Sequence, residues 1–222
     1  LERPDCDYTI VSSGTYDAGH WGPDATVCLA DGVTATVTGT TRGLYILGPE
    51  SSTVVFSATA APRSDEPDGI GAKIAVGTFK PSGSFSFRGT NTVYAANSIE
   101  FLNSGSGITG IGSSEDLQIS TLIATEGSVT FGGNTEGRLD SVIWANGHVC
   151  KYGGGGLDFA GTMLVKAEGP PPSSPCTEGI YWNGGGGGRF SSISNPNIPG
   201  DGGEVTNPEY KAAGVRVVSR RP

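Results

Sequence analysis

The chain is poor in charge, methionine and histidine, and each shortage narrows what it is. Only 16% of its 222 residues are Asp, Glu, Lys or Arg, and the net charge is −8. An acidic surface of that kind repels nucleic acid and anionic membrane as a whole, leaving room only for a local basic patch. Methionine occurs once, at Met163, and few segments carry a helical period, which argues against a helical protein. The two histidines, His20 and His148, stand in unrelated contexts. There is no HExxH pair, no GxSxG elbow and no Walker-type loop. The cysteines form no CxxC and have no histidine at zinc-finger spacing. No cofactor or metal is therefore expected. No signal peptide and no run long enough to span a bilayer is present. The chain opens at Leu1-Glu2-Arg3-Pro4, and the expectation is a mature or truncated ectodomain whose anchor lies upstream.

What is abundant is glycine, 37 residues with 14 prolines. Average usage would give roughly half that glycine count. Without a collagen period this means disorder or many tight turns, and short runs of Val, Ile, Phe, Tyr and Trp favour turns. The reading is an all-β, turn-rich protein. Cys6, Cys28, Cys150 and Cys176 are an even set in a Ser/Thr/Gly-rich chain, which suits two disulfides in an exported protein. Local pairing, Cys6 with Cys28 and Cys150 with Cys176, closes loops of roughly 20–30 residues, each adding about 3 kcal/mol. Four buried free thiols are the alternative.

Short strands recur along residues 1–60: Tyr8 to Val11, Ala25 to Leu29, Ala35 to Val37, Leu44 to Leu47 and Val54 to Phe56. Residues 61–72 read as an exposed loop or boundary. Asp65, Glu66 and Asp68 there supply hard oxygen atoms for Ca²⁺, against the plainer reading of a solvated acidic loop. From Ser82 a repeat is legible, with three short strands per unit and corners at Asn97, Gly127, Gly147 and Gly169. Val129 and Val149 set a period of about 20 residues. The steps from Ile99 to Val129 and from Val149 to Ile180 are lengthened by Gly- and Pro-rich inserts, Asn103–Ser114 and Ala167–Cys176. One such unit cannot bury its inward side chains, whereas stacked units cover one another. The expected fold is a right-handed β-solenoid (parallel β-helix-like) with a β-rich N-terminal head. Its expected parts are a head or first coils over 1–72, repeats over 73–192, and a loop with a closing strand over 193–222. A β-sandwich whose strands only look periodic is the rival fold.

Chemistry has few candidates. Asp140 and Asp158 follow Leu139 and Leu157 and would stack as a carboxylate pair on one outer face. Gln118 and Ser86 hold the same position earlier, so the plainer reading is an outward strand residue. Tyr152, Tyr181 and Trp182 would stack on sugars or bases, or else pack in or over the core, as would Trp144 at the end of the stack. Gly184–Gly188 lack the Lys-Ser/Thr that a phosphate cradle needs and read as a corner. Arg189, Lys211, Arg216, Arg220 and Arg221 form a possible interaction patch for phosphate, or an ordinary solvated strand end.

The segments Val142 to Val149 and Leu157 to Val165, with the ending Gly214 to Arg220, resemble the repeat of type IV pilus and competence minor pilin ectodomains of the PilX-like, β-solenoid-bearing kind. The resemblance covers residues 82–222. It implies an extracellular, non-enzymatic minor or tip pilin at the cell surface, with other pilin subunits as partners and DNA or a surface glycan as further ones. It implies no membrane insertion by this fragment, since the pilin's hydrophobic N-terminal helix is not in the sequence. It transfers no residue role. The alternative is a secreted β-helix carbohydrate-active enzyme, a polysaccharide lyase or hydrolase, or a glycan-binding adhesin.

Overall fold

The computed structural model describes residues 5–66, 69–83, 85–101, 108–111, 120–133, 135, 137–154, 157–177, 179–183 and 190–191. Apart from one 3-10 turn at Ala18–His20, its regular structure is all strand. In order these are β1 (Tyr8–Ile10), β2 (Gly14–Asp17), β3 (Thr26–Leu29), β4 (Thr34–Arg42), β5 (Leu44–Leu47) and β6 (Thr53–Ala61). Then come β7 (Ile70–Pro81), β8 (Ser86–Phe87), β9 (Thr90–Phe101), β10 (Ile108–Ile111), β11 (Ser120–Ala124) and β12 (Val129–Phe131). The last are β13 (Gly137–Ala145), β14 (Val149–Lys151), β15 (Leu157–Val165), β16 (Ile180–Trp182) and β17 (Phe190–Ser191).

Every pairing is parallel, and the pairings sort into three ladders. The first runs β1, β3, β5, β7, β9, β11, β13 and β15. The second runs through β2, β4 and β6, the later halves of β7 and β9, then β12, β14 and β16. The third joins the ends of β4 and β6 to β8, β10, the starts of β13 and β15, and β17. The chain visits the ladders in rotation. The expected division at residue 72 falls inside β7, whose pairing to β5 and β6 puts the early strands in the same ladders as the later ones. Residues 193–222 lie outside the described residues.

Alternation decides which side chains meet. In β6 every second residue is buried, from Val54 to Ala60. Parallel register then stacks like on like. Val27, Ile46, Ile74, Val93, Leu122, Ile143 and Met163 form one continuous buried column. Rings do the same on the second ladder. Phe101 stacks on Phe131 with centroids 4.8 Å apart, and Trp182 leans on Phe131 at 5.6 Å. Phe56 of the second ladder stacks across the core on Phe87 of the third at 4.7 Å. Each such buried side chain contributes roughly 1.5–3 kcal/mol through area removed from water.

The period of 20 holds: Val129 pairs with Val149, and both lengthened steps are in register, Ile99 with Val129 and Val149 with Ile180. Three expectations change. The three-strand unit read in the sequence separates Leu139 to Ser141 from Val142 to Ala145, and Leu157 to Phe159 from Met163 to Val165, but each pair is a single strand, β13 and β15, serving two ladders. Gly161 permits the bend in β15: its φ is +143°, and a Cβ there would collide with the Ser141 carbonyl. The corner after Gly147 is Ala167 rather than Gly169, because the Ala167 amide donates to the Gly147 carbonyl at 2.9 Å, one period on. Finally, β7 was not legible as a strand, its start being read as loop. Gly77, which packs against the Glu50 carbonyl where β7 passes between ladders, reads in the sequence as a breaker.

Candidate functional site

The outward side of the first ladder is the place where apolar side chains face solvent in register. Leu47, Ala75, Tyr94, Ile123, Trp144 and Leu164 occupy consecutive rungs of one column. Tyr94, Trp144 and Leu164 are 42%, 48% and 45% exposed. The alternation that buries Val93, Ile143 and Met163 forces their neighbours outward, so the column follows from core packing. At about 4.8 Å per rung the column is about 24 Å long. Its companion, two residues back on each strand, is Tyr45, Lys73, Thr92, Thr121, Val142 and Thr162. The Lys73 ammonium sits over the Tyr45 ring, 5.7 Å from its centroid. Two shallow depressions meet end to end at Leu47. One, about 530 Å³, is bordered by Cys28, Asp31 and Pro49; the other, about 440 Å³, by Tyr45, Ala75 and Tyr94. Ala75 makes the second one, being small between Leu47 and Tyr94.

The second ladder's outward side is closed at Cys150. That residue lies between Val149 and Lys151 and faces away from the core column, yet it is fully buried. Its disulfide to Cys176 brings the Ala167–Cys176 insert across it. His148 fixes both ends of that insert. Its Nδ1 accepts from the Gly179 amide at 2.9 Å, and its Nε2 lies 2.9 Å from the Gly169 carbonyl, so the ring is the Nε2–H tautomer. Asn146 donates to the Glu168 carboxylate at 2.7 Å. Lys166 and Asn146 together hold that carboxyl below the usual range. The Cys6–Cys28 disulfide ties the N-terminal segment to β3 in the same manner. Both local pairings expected for the cysteines are therefore present, and two disulfides are compatible with an exported protein. No helix among the described residues is long and apolar enough to cross a membrane.

Lys151 is an oddity inside this face. It is 1% exposed and takes the register position between Phe131 and Trp182. Among the described residues its ammonium has one hydrogen bond, 3.4 Å to the Tyr152 carbonyl. Burial pushes the amine below its ordinary value.

Other expected site residues fare differently. Asp140 and Asp158 are not register partners: Asp140 stands opposite Ala160, and Asp158 opposite Arg138. Leu139 pairs with Phe159, not with Leu157, because the ladder keeps its period of 20 where the sequence comparison matched Leu-Asp to Leu-Asp. Trp182 is half-buried and packs on Phe131 and Phe159. Tyr181 and Tyr152 are half-buried as well. Asp65 pairs with Arg63 at 3.0 Å, and Arg63 also reaches Asp24 at 2.9 Å. That arrangement holds the Asp65 carboxyl low through the guanidinium, an ion pair rather than a cation cage. Among the described residues no group of His, Cys, Asp or Glu is placed to hold a metal ion. Asp68, Gln118, Gly184–Gly188 and the whole basic patch of Arg189, Lys211, Arg216, Arg220 and Arg221 lie outside the described residues.

Tyr94 and Trp144 are the aromatics that residue-by-residue reading did not single out for binding. The signal was present: Ile123, Trp144 and Leu164 are spaced 21 and 20 apart, each flanked by residues of the buried column. No family model matches the chain, and no curated protein and no solved structure matches it either.

Proposed function

We propose that the chain is a disulfide-stapled β-solenoid acting as an exported, non-enzymatic interaction domain, displayed at the cell surface as a minor or tip pilin displays its ectodomain. The observation behind the interaction reading is the bare apolar column of the first ladder. Evolving a soluble, turn-rich protein does not call for Tyr94, Trp144 and Leu164 to stand in register in water, and contiguous exposed apolar surface marks binding faces. Rotation of the chain through three parallel ladders supports the solenoid, since stacked units of about 20 residues bury each other's inward side chains. The pilus setting is supported by the sequence resemblance and by disulfides suited to an oxidising compartment. Partners in that setting are other pilin subunits and a surface ligand.

The test is localisation combined with a surface variant. Antibody to this chain should decorate filaments on intact producing cells, and a Tyr94→Ser/Trp144→Ser variant should stay folded yet lose attachment of those cells to their surface. Labelling confined to the cytosol defeats the display reading. Unchanged attachment in the variant defeats the interaction reading.

A further inference from the structure

The geometry points to a ligand class for the outward column: an extended, uncharged pyranose chain, which we propose lies along the column with sugar faces on Tyr94 and Trp144. The proposal rests on the reading of this face as an interaction surface and names what it binds.

Four observations carry it. First, the rings are spaced for a repeating polymer. Tyr94 and Trp144 are two rungs apart, about 9.6 Å. In an extended, equatorially linked pyranose chain alternate sugars present the same face, so two rings at that separation meet equivalent faces of one strand of polymer. Among the described residues neither ring has a ring contact, and neither the phenol O–H nor the indole N–H has a hydrogen-bond partner. The C–H face of a sugar is the natural complement of such a ring, with Ile123 as apolar floor between them.

Second, the polar groups are beside the rings rather than among them. Thr92, Thr121 and Thr162 run along the adjoining column and place hydroxyls where the edges of a stacked sugar carry theirs. Third, the surface is long and thin. The column is about 24 Å by about 7 Å, the latter being two residues of strand. That is far below the roughly 800 Å² per partner of a stable protein interface. It suits a single polymer strand, and the depressions meeting at Leu47 continue the same track toward Cys28. Fourth, the chain's net charge of −8 opposes anionic polymers, whereas an uncharged glycan meets no such opposition.

The experiment is calorimetric titration of the purified chain with cellohexaose and chitohexaose, with the urea midpoint of each variant as fold control. At least one hexasaccharide is expected to bind. Trp144→Ala should weaken it about tenfold, the loss of one stacking platform. Tyr94→Phe keeps the ring and should stay within about twofold. The decisive variant exchanges two side chains, Ile123→Trp with Trp144→Ile. It preserves apolar area but sets the rings one rung apart, and binding should fall about tenfold. Absence of binding to both hexasaccharides and to insoluble cellulose and chitin overturns the proposal. So does binding that the exchange variant leaves intact, because area rather than ring spacing would then be at work. Reversible dimerisation abolished by Trp144→Ala, with no sugar bound, would also overturn it and assign the face to a second copy, while the interaction reading stands. If Tyr94→Ala/Trp144→Ala alters neither sugar binding nor cell attachment, both readings fall together.

Discussion

The outward sides of the first and second ladders are built by the same alternation and end in opposite states. On the first, register brings Tyr94, Ile123, Trp144 and Leu164 into a column that nothing among the described residues covers. On the second, Cys150 occupies a comparable outward position and is fully buried beneath an insert. The difference is a crosslinked insert. On the second ladder the lengthened step from Val149 to Ile180 folds back across Cys150, and the disulfide to Cys176 holds it there. A repeated backbone thus sets where side chains point, and an insert tied down by a crosslink sets which of them are covered.

Four substitutions would break or sharpen this contrast. The largest effect belongs to the covering disulfide. Cys150→Ser/Cys176→Ser removes a crosslink with a sequence separation of 26 and should cost about 3.5 kcal/mol by loop entropy, read as a lower urea midpoint. The insert should also become protease-sensitive, while the bare face keeps its properties.

Next is His148→Phe, which preserves ring volume but leaves the Gly179 amide and the Gly169 carbonyl unpaired. Two part-buried hydrogen bonds lost should cost about 1.5 kcal/mol by denaturant titration. An unchanged midpoint would mean that the insert is held by its disulfide alone.

Third, Lys151→Met should stabilise by roughly 1 kcal/mol at pH 7, because it replaces a buried, poorly partnered amine with an apolar chain of similar length. The pH dependence follows from the lowered folded-state value. Below that value the amine is charged in both states and burial costs its full amount. Between it and about 10.4 only the unfolded chain keeps the proton, so wild-type stability rises with pH. Above both, the amine is neutral in either state. The gap between variant and wild type should therefore narrow as pH rises toward about 10, and a gap independent of pH would show that Lys151 keeps its proton when buried, with no lowering of its pKa.

The smallest effect on stability is expected at the bare face. Trp144→Ala should lie within about 0.5 kcal/mol of wild type, since the indole is 48% exposed and makes no hydrogen bond among the described residues. A large loss there would mean that the column is structural and would remove the basis of the binding proposal.

Much of the architecture was legible in the residues. Val129 and Val149 gave the period, the pairs Cys6–Cys28 and Cys150–Cys176 followed from local loop closure, and Leu44 to Leu47 was read with its true ends. What failed did so for identifiable reasons. β7 was hidden because Gly71, Gly77 and Pro81 look like breakers in one dimension, whereas in three Gly71 and Gly77 sit at shifts of register against β9 and Pro81 ends the strand opposite Phe56. Asp140 and Asp158 were matched by local similarity, whereas parallel hydrogen bonding fixes register through the whole strand and offset them by two. The exposed column was missed because a tryptophan in a strand is ambiguous until the neighbours that fill the core are known.

The sequence by itself determined the class of fold and its staples. Short β-branched and aromatic runs at a steady period, corners rich in glycine and an even set of cysteines admit few compact arrangements, because each unit must find another of its own kind to cover it. Only the tertiary structure decided which face is bare and which is covered. Residues 20 or 30 positions apart become neighbours through register, and a column such as Tyr94, Ile123, Trp144 and Leu164 exists only once the rungs are stacked about 4.8 Å apart.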